Sequence, residues 1–172
     1  MAVLEGLEPR SVFHWFQELC RIPHGSGNTR AVSDYLADFG RDRGLAVRQD
    51  ELGNVILCKP GTPGYENAPA VMLQGHMDMV CVKDPNCPRD MAREGLDLAV
   101  EGDTVYAKGT TLGADDGIAV AMALALLDSR DIPHPPLEAV LTVDEEIGML
   151  GASGIDLRGL QSRLLINLDS EV

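Results

Sequence analysis

Apolar residues recur at helical spacing in three stretches of the chain. The pattern predicts helices over residues 11–22, where Pro23 ends the first one, and from Asn28 or Thr29 to about Gly44. A third, alanine-rich stretch at residues 118–127 is apolar on all sides, which is typical of a buried helix. The first two helices are therefore expected to cover a core, and the third to lie inside it.

Short apolar runs between these helices predict strands. The runs span residues 45–47, 54–58, 70–74, 104–107, 137–143 and 164–168, whereas residues 80–102 carry prolines and scattered charge and are predicted to be irregular. Strands that alternate with helices indicate an α/β fold. We expect a mixed, mostly parallel sheet with helices on both faces.

Acidic and histidine residues stand at the ends of these predicted elements. Three of the four groups follow runs that are interpreted as buried strands, and the fourth opens the apolar helix. The groups are His76 with Asp78, Asp115 with Asp116, Glu145 with Glu146, and Asp169. The ends of parallel strands meet in one crevice at one edge of a sheet, and an imidazole among carboxylates is a ligand set for zinc or manganese. The sequence thus predicts one metal site.

The charge balance excludes several classes of partner. A formal net charge of −13 and a pI near 4.5 leave no basic surface to neutralise nucleic-acid phosphates or to bind an anionic membrane. The N-terminus has no basic and apolar segments of the secretory type, and the four cysteines form no CxxC pair. We therefore expect a cytoplasmic protein with free thiols, with a Cys81–Cys87 bridge left open.

Other chemistries fit the motifs less well. The glycine-rich segment at residues 109–117 is similar to a phosphate-binding loop, but it has no Lys-Ser/Thr, and two carboxylates would repel a phosphate. A simple helix cap by Asp115 or Asp116 is the structural alternative. The chain has no Gly-x-Ser-x-Gly elbow for a serine nucleophile. His14, His24 and His134 are interpreted as structural or exposed.

Four sequence blocks together resemble the aminoacyl-histidine dipeptidases, also called peptidase D or Xaa-His dipeptidases. The blocks are Leu-Gln-Gly-His-Met-Asp at 73–78, Gly-Thr-Thr-Leu-Gly-Ala-Asp-Asp-Gly at 109–117, Glu-Glu-Ile-Gly-Met at 145–149 and Ile-Asn-Leu-Asp-Ser-Glu at 166–171. These enzymes share a superfamily of dinuclear metallopeptidases with carnosinases, aminoacylases and carboxypeptidase G. The resemblance implies a zinc-peptidase-like catalytic domain.

The resemblance also implies a role for each residue. His76, Asp115 and Asp169 would hold a first metal ion, and Asp115 would bridge to a second ion that Glu146 also holds. Glu145 would be the general base and Asp78 would orient His76. The cofactors would be two divalent ions, zinc or alternatively manganese or cobalt. The substrates would be small dipeptides that end in histidine, hydrolysed by a metal-bound water.

The chain also departs from the family pattern. Family members are longer, with a lid or dimerisation domain and a distal histidine that completes the second metal site. Residues 1–172 are therefore expected to be the N-terminal portion of the catalytic domain of a homodimeric protein, without the lid. A related amide hydrolase, or a metal-binding fragment without activity, remains an alternative at this point.

Overall fold

The computed structural model describes residues 3–169. Its helices are α1 at Arg10–Cys20, α2 at Arg30–Asp42, α3 at Ala114–Asp128 and the short α4 at Leu150–Gly154. The strands are β1 at Ala46–Gln49, β2 at Val55–Lys59, β3 at Val71–His76, β4 at Leu98–Glu101, β5 at Thr104–Ala107, β6 at Leu137–Thr142 and β7 at Leu164–Asn167. No helix in this part of the chain is long and apolar enough to cross a bilayer.

Five strands form the main sheet in the order β1-β2-β6-β3-β7. β3 runs parallel to both β6 and β7, whereas β1 with β2 and β2 with β6 are antiparallel. The α/β fold with a mixed sheet is confirmed, although its pairings divide equally between parallel and antiparallel. The parallel part, β6-β3-β7, brings three strand ends to one edge.

The three long helices enclose a core on one face of this sheet. Alternate residues of β6 (Leu137, Ala139 and Leu141) point into that core with Val55 and Leu57 of β2. α1 packs on α3, α3 packs on β3, and α2 packs on β1 and β2. α1 and the sheet bury most of the apolar surface of α3, as the sequence predicted, although Met122 remains exposed.

We expected helices on both faces of the sheet, but in the described residues a loop, rather than a long helix, lies over the opposite face near β1 and β6. Arg48 of β1 donates to the carbonyl groups of Asp156 and Arg158, and Glu138 of β6 accepts hydrogen bonds from Gln161 and Ser162. The segment 155–162 is thereby fastened to the sheet.

Two expectations about the strands were wrong. The segment 80–102, predicted to be irregular, contains β4, which pairs with β5 in a separate two-stranded ribbon. β4 buries only Leu98, so it has no apolar alternation to signal a strand. The run 164–168 was interpreted as buried, but all four residues of β7 are exposed. Among the described strands, β7 lies at the edge of the sheet and pairs with β3 alone.

Candidate metal centre

The parallel strands place the predicted site residues at one edge of the sheet. His76 is the last residue of β3, and Glu145 and Glu146 lie in the loop that follows β6. Asp115 reaches the same edge from the first turn of α3. The ligand atoms of His76, Asp115 and Glu146 all lie within 4.8 Å of one another. The sequence therefore identified three residues that the fold brings together.

The start of α3 is shaped to present Asp115. Gly113 precedes the helix with a left-handed φ of 69°, and Asp115 and Asp116 have non-helical dihedral angles within the first turn. The peptide bond between the two aspartates is cis. Oδ1 of Asp115 lies 3.2 Å from Nε2 of His76, while Asp116 is buried and accepts a 3.1 Å hydrogen bond from the backbone N–H of His76. The two adjacent carboxylates thus face different surroundings.

Nδ1 of His76 faces Asp78. It lies 3.0 Å from the backbone carbonyl oxygen of Asp78 and 3.3 Å from the carboxylate oxygen Oδ1 of the same residue. Both side chains are almost fully buried. With Nδ1 engaged in this way, Nε2 is left to point into the cluster toward Asp115, which is the arrangement typical of metal-binding histidines.

The electrostatics of the site favour a cation. Burial acts against an imidazolium, but the adjacent Asp78, with Asp116 and Asp115, raises the pKa of His76 to about 9. Burial raises the pKa of Asp116 to about 7, and the charges of Asp169 and Asp115 add to this effect. Burial and the charge of Asp115 also raise the pKa of Glu146. The carboxylates around His76 thus favour a positive charge at this position, which a divalent ion would supply.

Asp169 is not one of the three residues whose ligand atoms cluster within 4.8 Å. Its position is nevertheless close to them, because β3 and β7 pair in parallel up to Gln74 and Asn167. Continuing this register by two residues sets Asp169 beside His76 on the neighbouring strand. Its charge also acts on Asp116. The ligand role of Asp169 stays a prediction, and Glu171, the last residue of the fourth sequence block, lies outside the described residues.

The donor set fits a divalent ion. One imidazole nitrogen and carboxylate oxygens from Asp115 and Glu146 converge, with Nδ1 of the imidazole held from behind, and the cluster carries an excess of negative charge. Such mixed nitrogen and oxygen sites suit zinc, manganese or cobalt.

Two residues of the site were not found by sequence reasoning. The hydroxyl of Ser26 donates a 2.7 Å hydrogen bond to Oδ2 of Asp78, and Oδ1 of Asp144 accepts a 2.7 Å hydrogen bond from the backbone N–H of Gly27. Both contacts join parts of the chain that are far apart in sequence. The turn-rich composition of residues 22–27 indicated a loop without indicating its neighbours, and Asp144 stood in the acidic run before Glu145 without an assigned role. His24 in this loop is buried, as is His134 far from the site.

The four cysteines, Cys20, Cys58, Cys81 and Cys87, are all free thiols in the structure. Cys81 and Cys87, whose pairing the sequence left open, form no bridge in this structure.

Comparisons with known proteins agree with the motifs. The chain is 40% identical over 171 residues to the cytosol non-specific dipeptidase of Escherichia coli, a match that covers 99% of the chain and 35% of that protein. The crystal structure of aminoacylhistidine dipeptidase from Vibrio alginolyticus superposes with a TM-score of 0.94 at 42% identity, over 98% of the chain and 34% of that structure. A tripeptidase from Staphylococcus aureus gives a TM-score of 0.77 at 26% identity, over 94% of the chain and 43% of that structure.

The chain thus spans about a third of the length of the first two relatives. No family model matches it. The resemblance to the aminoacyl-histidine dipeptidases is confirmed, and so is the fold of a zinc-peptidase catalytic domain.

Proposed function

We propose that this chain forms part of a metal-dependent dipeptidase that hydrolyses Xaa-His dipeptides. The observation that carries the proposal is the cluster of His76, Asp115 and Glu146, whose ligand atoms lie within 4.8 Å of one another at the edge of the sheet. The similarity to two dipeptidases over almost the whole chain supports it. The preference for a C-terminal histidine rests on the printed name of the Vibrio relative and on the shared sequence blocks.

The proposed site holds two divalent ions, zinc by preference. His76, Asp115 and Asp169 would bind the first ion, and Asp115 and Glu146 would bind the second. When bound, the ions would lower the pKa of a water to about 7 and polarise the peptide carbonyl. Asp169 is assigned from the strand register and from its electrostatic effect on Asp116.

Two acidic residues serve the ligands and the water. Asp78 holds Nδ1 of His76. The lone pair on Nε2 of the neutral imidazole would then be available to bind the ion. Glu145 is the general base, because it adjoins the ligand Glu146 and remains partly exposed at the crevice. From there its carboxylate would take a proton from the attacking water and give it to the leaving amine.

The wider setting is part of the proposal. We assign residues 1–172 to the catalytic domain of a longer protein, in line with the share of the relatives that the chain covers. The homodimer is carried over from the family resemblance alone. A cytoplasmic location is supported by the printed name of the Escherichia coli relative. Nucleic acid and anionic membranes are not expected as partners, since a net charge of −13 leaves no basic surface to bind either.

Calorimetric titration of the metal-free 172-residue chain with zinc tests the proposal. His76→Gln should abolish binding, whereas His134→Gln, which changes another buried histidine remote from the site, should leave binding unchanged. Two ions per chain would support both proposed metal positions. One ion would support only a single position at the cluster of His76, Asp115 and Glu146. No binding by a chain shown to be folded by circular dichroism would contradict the proposed site in this chain.

Turnover is tested with a panel of substrates on the zinc-loaded chain. Hydrolysis of Xaa-His dipeptides, lost in Glu145→Gln with zinc still bound, would support the dipeptidase assignment and the base. Preference for N-acyl amino acids would instead favour a related amide hydrolase. Zinc binding without turnover of either class would reduce the assignment to a metal-binding fragment.

A further inference from the structure

Three separate segments of the chain meet at the carboxylate of Asp78, which is 1% exposed. Oδ1 accepts a 3.0 Å hydrogen bond from the backbone N–H of Glu145 and lies 3.3 Å from Nδ1 of His76. Oδ2 accepts a 2.7 Å hydrogen bond from the hydroxyl of Ser26 and a longer, 3.4 Å one from the backbone N–H of Glu146. Asp78 therefore connects the histidine to the loop that carries both glutamates.

The loop that carries Ser26 is itself fastened to this edge of the sheet. The backbone N–H of Met79 donates to the carbonyl of His24, and that of Ser26 donates to the carbonyl of Met79, at 3.2 Å each. Gly25 allows this close approach, because a Cβ at that position would lie 2.5 Å from Sγ of Cys81. On its other side the loop donates from Gly27 to Asp144, next to Glu145. The hydroxyl of Ser26 is thus held at a fixed place against Asp78.

We propose that Ser26 is a positioning residue of the metal site, a role that rests on the proposed function. Its hydroxyl holds the Asp78 carboxylate in the orientation in which Oδ1 faces both His76 and Glu145. Without Ser26, Oδ2 keeps only the long hydrogen bond to Glu146. The carboxylate is then free to rotate, and both the imidazole and the Glu145-Glu146 turn lose their common support. Ser26 acts through Asp78 and is not one of the three residues whose ligand atoms cluster.

The chain contains a matched hydrogen bond that serves as a control. Ser162 donates its hydroxyl to the carboxylate of Glu138, which also accepts hydrogen bonds from the backbone N–H groups of Gln161 and Ser162. The chemistry is the same as at Asp78, namely one serine hydroxyl and two backbone donors on one carboxylate. This second group has no imidazole and lies at the opposite end of the parallel strands.

The decisive readout is made on the metal-free chain. The ring ¹⁵N chemical shifts of His76, recorded at a fixed pH, report the hydrogen bonding of Nδ1 whether or not an ion binds. We expect Ser26→Ala to move these shifts, Ser26→Thr to restore them because it keeps the hydroxyl, and Ser162→Ala to leave them unchanged. Unchanged shifts in a folded Ser26→Ala chain would overturn the proposal, as would equal changes in Ser162→Ala.

Metal affinity gives a second readout. In zinc competition with a chromophoric chelator, Ser26→Ala should weaken binding by roughly 10- to 100-fold, the effect typical of removing a group that orients a ligand. Ser26→Thr should stay within a few-fold of the original chain, and Ser162→Ala should match it. Equal affinity in Ser26→Ala and the original chain would overturn the proposal. Failure of the original chain to bind zinc would instead contradict the proposed function, and the ¹⁵N shifts would still decide on Ser26.

Discussion

Asp78 and Glu138 lie at opposite ends of the parallel strands and are bound in nearly the same way. Each is buried, and each accepts one serine hydroxyl and two backbone N–H groups from a loop. Burial alone would raise the pKa of both carboxyls, but these hydrogen bonds, with the His76 contact of Asp78, outweigh it. They lower the pKa of Asp78 to about 2 and also lower that of Glu138. As anchors for a loop, the two carboxylates are equivalent.

The difference between them is what the anchored loop carries. At Glu138 the loop is the segment 161–162, whose side chains take no part in the metal cluster. At Asp78 the loop carries Glu145 and Glu146, and the carboxylate also faces a buried imidazole. The same hydrogen-bonding pattern therefore stabilises the fold at one end of the sheet and, in our proposal, aligns a metal site at the other. The position at the carboxyl ends of parallel strands makes this possible.

Replacing each carboxylate by the corresponding amide should give the largest difference between Asp78 and Glu138. Asp78→Asn leaves the buried His76 without its charged partner and sets an amide N–H₂ against backbone donors, so we expect a loss of about 3–5 kcal/mol in the free energy of unfolding. Zinc binding should be lost with it. The measurements are urea denaturation and calorimetric titration.

Glu138→Gln is the matched variant for this experiment. It replaces one carboxylate oxygen by an amide NH₂ and removes the equivalent of one charged hydrogen bond, so the free energy of unfolding should fall by about 1.5–3 kcal/mol. Zinc affinity should not change. An equal loss of zinc affinity in both variants would show that the site merely depends on overall stability.

The pH dependence of stability should distinguish the two ends of the sheet. The pKa of His76 is raised in the folded chain from its usual 6.5 to about 9. A histidine whose pKa is raised by folding stabilises the folded chain fully at pH values below its pKa in the unfolded chain. This stabilisation is lost as the pH rises to its pKa in the folded chain. At about 1.36 kcal/mol per pH unit, the metal-free chain should lose about 3 kcal/mol between pH 6.5 and 9.

Urea midpoints measured across this pH range, with a chelator present, test the expectation. The raised pKa of Asp116 affects the stability at or below about pH 7, so it does not account for a slope that continues to pH 9. His76→Gln should remove the slope, whereas Glu138→Gln should keep it, because the lowered pKa of Glu138 acts in the acid range. A slope that persists in His76→Gln would assign the effect to another group.

Much of this arrangement was open to prediction from the sequence, because the signals are local. The apolar runs before His76 and Glu145 predicted strands, and parallel strands necessarily bring their ends together. Acidic and histidine residues in such positions then indicated a metal site. These inferences need only the order of elements and the direction of each strand.

The parts that could not be predicted depend on contacts between distant segments. Ser26 touches Asp78 across 52 residues of sequence, and the turn that contains it has no periodicity to align it with a strand. The exposure of β7 was likewise not readable from its apolar composition, because burial depends on which strands and helices cover it.

The exposed ion pair of Arg158 and Asp156 should have the smallest effect on stability. Arg158 forms a two-pronged hydrogen bond with Asp156 in the loop that Glu138 anchors, and it lowers the pKa of Asp156 to about 2, the same value as for Asp78. The Arg158 side chain is 91% exposed, however, so water and salt compete for both charges. We expect no measurable change in the urea midpoint for Arg158→Ala. A large change would mean that a lowered pKa by itself marks a structural anchor; no change would mean that burial separates Asp78 and Glu138 from Asp156.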